Sequence, residues 1–583
     1  HQPGIARVRG HGDRENSRRA RHQCRHPAFH PQNLWLEDQI GREIAGQVAK
    51  PTINVSQRSV RHRYRGSVMY RIGIDVGGTN TDAVVLKGQQ VVESVKLPTT
   101  EDVITGVTSA LAVVMAKGAI TANSVSAVMI GTTHFLNALI EGNGLNKVAV
   151  LRLCGKATAS LPPMVDWPPA LREQVSGYVS ALPGGAEYDG APIAELDVAK
   201  LKEACRDIRE LGLTSIAISS VFAPVKADDE KRARDIVMSE IPGARVSLSH
   251  EVGRLGLLAR ESACILNASL HKLGKKTLSA LSQALLKLEL NCPLYLTQND
   301  GTLMSAAHAE RFPIFTLASG PTNSMRGAAF LSGLKNAIVI DIGGTTSDIG
   351  LLVEGFPRER VQGAEIAGVR TNFKMPDVLS VGLGGGSIVN SAGDDLSIGP
   401  VSVGFRLQQE ARIFGGDTLT ATDIAVAHGL LVLGNPATLG DLSPALVERA
   451  VDRMQDMLSA GIERMKPGKQ DIPVILTGGG SVLVKGELIG NCRVIRPPHY
   501  ASANAVGAAI AQISGEVDRI FSVERDQRAS ALEAAKTEAR QKAVAAGAKP
   551  DTVDIVEVDE TPLAYLPNNA TRIRVKAIGE LLA

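Results

Sequence analysis

Short apolar runs, bounded by glycine and proline, alternate along this chain with longer segments whose apolar residues recur every three or four positions. The short runs predict buried strands, among them 125–130, 216–221, 246–249, 292–297 and 474–476. The helical spacing predicts helices over 102–117, 198–212, 228–240, 257–288 and 528–545. Strands that alternate with helices indicate an α/β fold.

One short sequence occurs twice. Residues 74–82 read Ile-Asp-Val-Gly-Gly-Thr-Asn-Thr-Asp, and residues 340–348, which lie 266 positions later, read Ile-Asp-Ile-Gly-Gly-Thr-Thr-Ser-Asp. In each copy an apolar run precedes the glycine pair and another follows it, so each copy predicts a strand, a tight turn and a second strand. A Gly-Gly pair is also an ordinary hairpin signal, but two near-identical copies at a domain-scale separation favour a shared function.

The residues of both turns suit phosphate. The paired glycines leave backbone N–H groups open to an anion, and hydroxyl and amide side chains add donors. The residues concerned are Gly77, Gly78, Thr79, Asn80, Thr81, Gly343, Gly344, Thr345 and Thr346. Asp75 and Asp341 end the preceding strands, and a carboxylate beside a phosphate is repelled unless a cation lies between them. The two acids therefore predict bound Mg²⁺.

Three further segments carry candidate chemistry. Gly478, Gly479 and Gly480 follow a buried strand and would let a flat ring lie against the backbone. Asp300 lies in a Gln-Asn-Asp-Gly turn, where it is either a turn residue or a general base near the phosphates. His134 and Asn137 follow the predicted strand 125–130 at a strand-to-helix turn, where they are either structural or contacts to a substrate.

Composition excludes several classes of protein. The 583 residues suffice for two to four domains at about 150 residues each. Aromatic residues make up only 3% of the chain, which argues against a protein that binds nucleic acid by stacking on bases. Six cysteines without a Cys-x-x-Cys pair indicate reduced thiols. No apolar run is long enough to span a membrane, and no secretory signal is evident, so we expect a cytoplasmic protein.

The first 68 residues differ from the rest. Residues 1–66 contain 13 Lys and Arg, 5 Asp and Glu, and six of the 12 histidines, with little apolar periodicity. A basic arm for nucleic acid or targeting is one interpretation. The sequence favours either a disordered extension or an upstream segment that is not part of the working protein, because Met69 directly precedes the first predicted strand.

The order of these motifs resembles that of the actin/Hsp70/sugar-kinase ATPase superfamily, with two phosphate loops and an adenosine loop. Within it the chain is most similar to the A-type subunit of the hydantoinase/oxoprolinase family, from about Met69 to Ile513. The matching segments are 74–86, 131–139, 318–328, 339–355, 381–387 and 399–404. One segment departs from the family pattern: residues 405–416 replace a Pro-Gly-Pro-Ala-Cys-Tyr-Gly run, which leaves the substrate open.

The resemblance implies an α/β fold with two actin-like (ribonuclease H-like) ATPase lobes. The chain is then divided into a disordered extension (1–68), an N-terminal lobe (69–250) and a second ATPase lobe (251–522). Residues 523–583 carry none of the phosphate signatures and predict a small C-terminal α+β accessory domain.

The function implied by the resemblance is ATP-dependent opening of a cyclic amide that is 5-oxoproline-like or hydantoin-like. ATP would phosphorylate the amide oxygen, after which water would attack the carbon. Asp75 and Asp341 would hold Mg²⁺, the two turns would bind phosphate and residues 478–480 would lie against adenosine. His134 and Asn137 are the candidate substrate contacts.

Two alternatives stay open from the sequence. A sugar kinase of the same superfamily would use Asp300 as the base for a substrate hydroxyl. A nucleotide-binding scaffold would be active only with a partner, and A-type chains of this family often need a B-type subunit. We also expect a homo-oligomer and no nucleic-acid or membrane partner.

Overall fold

The computed structural model describes residues 69–100, 103–360, 363–392, 395–468, 471–521, 528–563 and 570–582. The predicted N-terminal extension, 1–68, lies outside the described residues. The strands, numbered in chain order, are β1 (Tyr70–Val76), β2 (Asn80–Lys87), β3 (Gln90–Pro98), β4 (Val125–Thr132), β5 (Val148–Leu153), β6 (Ser176–Leu182), β7 (Ser215–Ser220), β8 (Arg245–Leu248), β9 (Leu294–Thr297), β10 (Thr302–Ser305), β11 (Ala337–Ile342), β12 (Ser347–Val353), β13 (Phe356–Pro357), β14 (Glu365–Ile366), β15 (Val369–Arg370), β16 (Val378–Val381), β17 (Ser387–Ala392), β18 (Asp395–Ser402), β19 (Val474–Thr477), β20 (Leu488–Ile489), β21 (Cys492–Ile495), β22 (Gln512–Phe521), β23 (Asp554–Pro562) and β24 (Thr571–Gly579).

The α-helices of the described residues are α1 (Val103–Lys117), α2 (His134–Glu141), α3 (Pro169–Val175), α4 (Val198–Glu210), α5 (Asp228–Glu240), α6 (Ser249–Val252), α7 (Leu257–Ser269), α8 (His271–Lys287), α9 (Ala306–Arg311), α10 (Ser319–Ser332), α11 (Leu407–Glu410), α12 (Ala421–His428), α13 (Pro444–Met465), α14 (Ala503–Ile510) and α15 (Arg528–Ala545). Short 3₁₀ turns include Gly404–Arg406, Arg412–Phe414 and Gly479–Leu483. None of the described helices is long and apolar enough to cross a membrane. The segment 257–288, whose pattern allows one or two helices, forms two.

The first sheet has nine strands in the order β23-β24-β22-β10-β9-β4-β1-β2-β3. Strands β9, β4 and β1 are parallel, whereas β1, β2 and β3 form an antiparallel meander. Strand β4 is buried along nearly all of its length, which explains its almost continuous apolar run. The parallel pairing places Asp75, near the end of β1, beside Gly131 on β4.

The second sheet repeats this arrangement. Its order is β13-β12-β11-β19-β21-β20, with β16 also paired to β12. The hairpin β11–β12 is antiparallel, and β11, β19 and β21 are parallel. Hairpin β11–β12 therefore occupies the place in the second lobe that β1–β2 occupies in the first. The duplicated sequence corresponds to a duplicated sheet core.

A third sheet, β6-β5-β7-β8, is entirely parallel and has its own apolar core with α4 and α5. It lies in the chain between β4 and α7. A buried ion pair between Arg152 on β5 and Glu261 on α7 joins it to the first lobe. Because such a pair is costly to break by removing one partner, it fixes the position of the third sheet.

Not all strands pair within the segments predicted from the sequence, whose boundaries lie at residues 250/251 and 522/523. Strands β9, β10 and β22 lie after residue 251 but belong to the first sheet. Strand β24 lies between β22 and β23, and α15 packs Ala535, Ala539 and Ala543 into the core that this sheet shares with Ala127 and Met129 of β4. Residues 528–563 and 570–582 thus extend the first lobe. The alternating pattern of 572–577 predicts a strand but does not reveal its distant partner.

Helices α10 and α14 join the two lobes. Helix α10 packs on the second sheet, α14 packs on the first, and the two helices pack on each other. A Cβ on Gly327 would lie 1.9 Å from Ala503 O, and a Cβ on Gly507 would lie 1.9 Å from Asn323 O. Glycine is therefore required at both positions for the helices to approach so closely.

Replacing Gly507 with alanine is expected to lower the free energy of unfolding by about 1–3 kcal/mol, because the new methyl group overlaps a backbone oxygen. Chemical denaturation measures the change. Gly274 is a suitable control, since it lies inside α8 and its added Cβ would find no atom closer than 3.6 Å. Gly274→Ala should be neutral or stabilising. Equal stability of the two variants would contradict the close helix contact.

Candidate functional site

A row of polar residues crosses the first sheet at its carboxyl edge. Asp75 on β1 lies opposite Asp82 on β2, which in turn lies opposite Lys96 on β3. On the other side of Asp75 is Gly131 on β4. Directly opposite residues of neighbouring strands share a face of the sheet, and Lys96 Nζ is 2.6 Å from the Asp82 carboxylate. The row is Lys96, Asp82, Asp75 and Gly131.

The second sheet carries an equivalent row. Asp341 on β11 lies opposite Asp348 on β12, and Asp348 lies opposite Ser380 on β16. Thr477 on β19 lies on the other side of Asp341. Ser380 Oγ donates a hydrogen bond of 2.5 Å to Asp348. The two rows share their central pair of acids and differ at both ends, where Lys96 corresponds to Ser380 and Gly131 to Thr477.

The two glycine turns have the same internal hydrogen bond and touch each other. Gly77 N donates to Asn80 O at 3.0 Å, and Gly343 N donates to Thr346 O at 2.9 Å. A Cβ on Gly344 would lie 2.6 Å from Thr79 Oγ1, so the side chain of the first turn contacts the backbone of the second. The structure thus brings both predicted phosphate loops together between the lobes.

The turn residues differ in accessibility. Gly78, Thr345 and Thr346 are exposed, and Thr79, Asn80, Gly77, Gly343 and Gly344 are partly buried. Thr81 is fully buried, and its hydroxyl lies 3.4 Å from that of Thr99. The hydroxyl of Thr81 therefore faces the inside of the first lobe, whereas the other donors border open space.

A glycine-rich segment covers the inner side of the second turn. Gly385 N donates to Gly343 O at 3.0 Å, and Gly386 N donates to Gly344 O at 2.7 Å. Ser402 Oγ adds a hydrogen bond of 3.3 Å to Gly344 O. The segment 405–416, which departs from the family pattern, follows directly and forms α11 between two 3₁₀ turns. The divergent segment therefore begins three residues after Ser402, which contacts the second turn.

Polar side chains of α10 and α14 lie between the central acids. Asn504 Nδ2 donates to Asp75 Oδ2 at 3.3 Å, and Asn504 also forms a hydrogen bond with Asp341. Ser324 likewise bonds Asp341, and its Oγ is 2.8 Å from Thr477 Oγ1. Asn504 connects an acid of each lobe, so the close helix contact positions the site.

The carboxylates of the two rows are electrostatically crowded. Burial raises the pKa of Asp75 to about 7, and the charges of Asp82 and Asp341 add to the shift. Burial raises the pKa of Asp348 to about 6, with Asp341 contributing. Burial also raises the pKa of Asp82 and of Asp341, although Lys96 opposes both shifts. The site therefore favours an added positive charge.

The residues present fit a magnesium ion shared with a nucleotide. Asp75 Oδ1 and Asn323 Oδ1 are buried oxygens that accept no hydrogen bond among the described residues. The described residues contain no group of three His, Cys, Asp or Glu side chains that would hold a metal ion by themselves. Mg²⁺ commonly keeps several waters and is bound by one or two carboxylates together with substrate phosphates. Asp75 and Asp341 match that pattern.

The predicted adenosine loop lies against the second turn. A Cβ on Gly478 would lie 2.3 Å from Asp341 Oδ1, and a Cβ on Gly480 would lie 2.5 Å from Ile342 Cγ2. No atom lies within 4 Å of a Cβ built on Gly479. Gly478 and Gly480 are thus needed for packing against β11, and Gly479 offers the open backbone surface.

His134 and Asn137 lie next to the first turn. Thr133 Oγ1 is 3.4 Å from Val76 O at the end of β1, and His134 begins α2 directly afterwards. Burial lowers the pKa of His134, which keeps the ring neutral near pH 7. Asn137 is exposed one turn further along the helix. Their role as substrate contacts stays a prediction.

Both carboxylate oxygens of Asp300 have partners. Its Oδ1 accepts hydrogen bonds from Thr302 N at 3.0 Å and Thr302 Oγ1 at 2.6 Å, and its Oδ2 is 2.8 Å from Lys576 Nζ. Burial alone would raise the pKa of Asp300, but Lys576 and Lys374 hold it well below the usual range. A carboxylate with both oxygens engaged and a low pKa is a poor base. The structure favours the turn interpretation.

Sequence reasoning assigned no role to several residues of the site. Asp82 and Asp348 were part of the repeated sequence, at the same distance of seven residues from Asp75 and Asp341. That repeated spacing was a usable signal. Lys96, Asn323, Ser324 and Asn504 gave no such signal, because only strand register and helix packing bring them to the acids.

The central strands of the two lobes have the same order, and their acid-bearing hairpins face each other, so the predicted α/β fold with two duplicated lobes is confirmed. The hydantoinase/oxoprolinase N-terminal region matches residues 71–241, and the hydantoinase/oxoprolinase domain matches residues 260–470. The chain belongs to the hydantoinase/oxoprolinase family, as its motifs indicated.

Similar proteins include enzyme subunits with different reactions. The caprolactamase subunit alpha of Pseudomonas jessenii is 28% identical over 432 residues, which cover 68% of this chain and 60% of that protein. The acetophenone carboxylase gamma subunit of Aromatoleum aromaticum is 27% identical over 401 residues, which cover 63% of this chain and 54% of that subunit. The matched part of this chain thus spans little more than half of these relatives.

Two solved structures share the fold. The ATP-dependent caprolactamase from Pseudomonas jessenii superposes with a TM-score of 0.69 at 22% identity, and 88% of each chain is covered. A nucleotide-free structure of acetone carboxylase superposes with a TM-score of 0.64 at 19% identity, again over 88% of each chain. At these identities the likeness establishes the fold and leaves the reaction to other arguments.

Proposed function

We propose that this chain is the nucleotide-binding subunit of an enzyme that uses ATP to open a cyclic amide, such as a 5-oxoproline-like or hydantoin-like ring. The observation that carries the proposal is the meeting of two duplicated hairpins, with Asp75 and Asp341 bridged by Asn504 and with Thr79 against Gly344. A similar protein, caprolactamase, is named for a cyclic amide. The paired hairpins support nucleotide binding, and the name of the similar protein supports the class of substrate.

The chemistry of a cyclic amide explains why such a site is needed. A lactam is a weak electrophile, and ATP supplies a phosphoryl group that activates the amide oxygen for attack by water on the ring carbon. Catalysis of phosphoryl transfer is mainly positioning and charge neutralisation. In this proposal Asp75 and Asp341 hold Mg²⁺, directly or through water, and the backbone N–H groups of both turns orient the phosphates.

The other residues have complementary roles in the proposal. Thr79, Asn80, Thr345 and Thr346 donate hydrogen bonds to phosphate oxygens. The open backbone at Gly479 lies against adenosine. His134 and Asn137, beside the first turn, contact the amide ring.

The sugar-kinase alternative loses its expected base. That reaction needs a carboxylate that accepts the proton of a substrate hydroxyl, and Asp300 is instead paired with Lys576. The carboxylase names of other relatives justify testing a ketone with bicarbonate as a separate substrate class.

A partner subunit forms part of the proposal. The similar curated proteins are named as alpha, gamma and beta subunits, which supports a requirement for a second chain such as a B-type hydantoinase subunit. The homo-oligomer and the cytoplasmic location stay predictions from the sequence.

We expect purified protein to bind ATP in a Mg²⁺-dependent manner and to hydrolyse it faster when a five- to seven-membered lactam and the partner subunit are present. Calorimetry measures nucleotide binding, and release of phosphate together with the ring-opened amino acid measures the reaction. A sugar, and acetophenone with bicarbonate, serve as the comparison substrates. Absence of Mg²⁺-dependent nucleotide binding would contradict the whole proposal, whereas stimulation by a comparison substrate alone would change the substrate class.

A further inference from the structure

The rows of the two lobes differ in charge at one end. In the first lobe the residue opposite Asp82 is Lys96, and in the second the residue opposite Asp348 is Ser380. Lys96 Nζ is 2.6 Å from each oxygen of Asp82. The charge of Lys96 opposes the rise in the pKa of Asp82 and of Asp341 in the other lobe. The site therefore has a cation on the side of the first lobe.

Lys96 is open to a further ligand. The side chain of Asp82 is 9% exposed, but that of Lys96 is 33% exposed. An ammonium group has three donors, and the two oxygens of Asp82 engage at most two of them. Lysine is a common point-charge contact for phosphate. Its position at the boundary of the site leaves a donor free for an incoming anion.

The place of the nucleotide indicates which phosphate this would be. The open backbone at Gly479 belongs to the second lobe, and its neighbours Gly478 and Gly480 pack on β11. With adenosine there, the phosphates must run from the second turn towards the first. The phosphate furthest from adenosine then lies nearest the first lobe, on the side of Lys96.

We propose that Lys96 contacts the terminal phosphate of ATP and makes the site prefer ATP to ADP. The inference rests on the proposed nucleotide-binding function and deepens it, because it assigns the discrimination between the two nucleotides to one residue. Ser380, its counterpart in the second lobe, has no charge with which to do the same.

Calorimetry with the purified protein, Mg²⁺ and either ADP or a non-hydrolysable ATP analogue tests the assignment. Lys96→Met should weaken binding of the ATP analogue about 10-fold, equivalent to the loss of one charge-assisted contact, and change the affinity for ADP by less than about 2-fold. The matched control is Lys87→Met, which removes an exposed lysine of β2 and should leave both affinities unchanged.

A double variant separates phosphate binding from simple neutralisation of Asp82. Lys96→Met with Asp82→Asn removes both members of the ion pair, so it should fold even if the single variant does not. If Lys96 contacts phosphate, the double variant still has a lowered preference for ATP. Restored preference in the double variant, or equal losses for both nucleotides in the single variant, would overturn the assignment. Failure of wild-type protein to bind either nucleotide would instead reject the proposed function itself.

Discussion

Replacing Asp75 with asparagine is expected to lower the rate of ATP turnover at least ~100-fold, comparable to removing one electrostatic stabiliser of a transition state, and Asp341→Asn should have an effect of the same size. Each acid ends a central strand, and Asn504 lies between them. Neutral amides in these positions would weaken the hold on Mg²⁺ and leave the phosphates without their counter-charge.

The folded structure should tolerate Asp75→Asn. An asparagine side chain has nearly the same shape, and its amide oxygen can still accept the hydrogen bond from Asn504. The change also removes a carboxylate whose pKa is raised to about 7 by burial and by the like charges of Asp82 and Asp341. We therefore expect a melting temperature equal to or above that of the wild type, which separates a catalytic loss from misfolding.

Phosphate release and thermal denaturation, measured on the same preparations, check both parts. Asp166→Asn is a matched control because Asp166 is an exposed carboxylate of the first lobe region that belongs to neither row. ATP turnover that survives intact in both Asp75→Asn and Asp341→Asn would show that the paired hairpins are not the catalytic centre.

The paired hairpins were predictable because their signals are local. The glycine pair, the flanking apolar runs and the terminal acids all lie within the short segments 70–86 and 337–353, and the structure shows them as β1–β2 and β11–β12. Helices with strong periodicity could be predicted equally well. The helices 228–240 and 528–545 have the predicted bounds.

Partners outside the hairpins were not predictable from one sequence. Lys96 joins the row through the register of β2 with β3, and one residue of slip would turn its side chain to the other face. Asn504 lies 429 positions from Asp75 and reaches it only because Gly327 and Gly507 let α10 and α14 approach closely. Such positions depend on packing between distant segments, which periodicity does not encode.

The boundaries of the lobes could be predicted only in part, for the same reason. The boundary predicted from the sequence lies at residues 250/251, but β9 and β10, which follow it, belong to the first sheet. The C-terminal strands β23 and β24 also join that sheet. Apolar alternation predicts a strand and leaves open which edge it will pair with.

Asp300→Asn is expected to lower the free energy of unfolding by about 3–5 kcal/mol, the usual cost of leaving one partner of a buried ion pair without its counter-charge. The partner is Lys576, whose side chain is only 5% exposed and whose Nζ is 2.8 Å from Asp300 Oδ2. As a turn residue alone, Asp300 could be replaced by asparagine almost silently. Chemical denaturation of the variant distinguishes these two expectations, and nucleotide affinity should be unchanged.

The double variant Asp300→Asn with Lys576→Met should recover most of the lost stability, because it removes both charges.

The dependence of stability on acid pH is a second test of the ion pair. The pKa of Asp300 is lowered in the folded protein, so the pair contributes stability above the unfolded pKa near ~3.9 and loses it as the pH falls further. Wild-type protein should therefore lose stability below about pH 4 more steeply than the double variant. Parallel acid profiles, or full stability in the single variant, would show that the ion pair does not hold the Asp300 turn to β24.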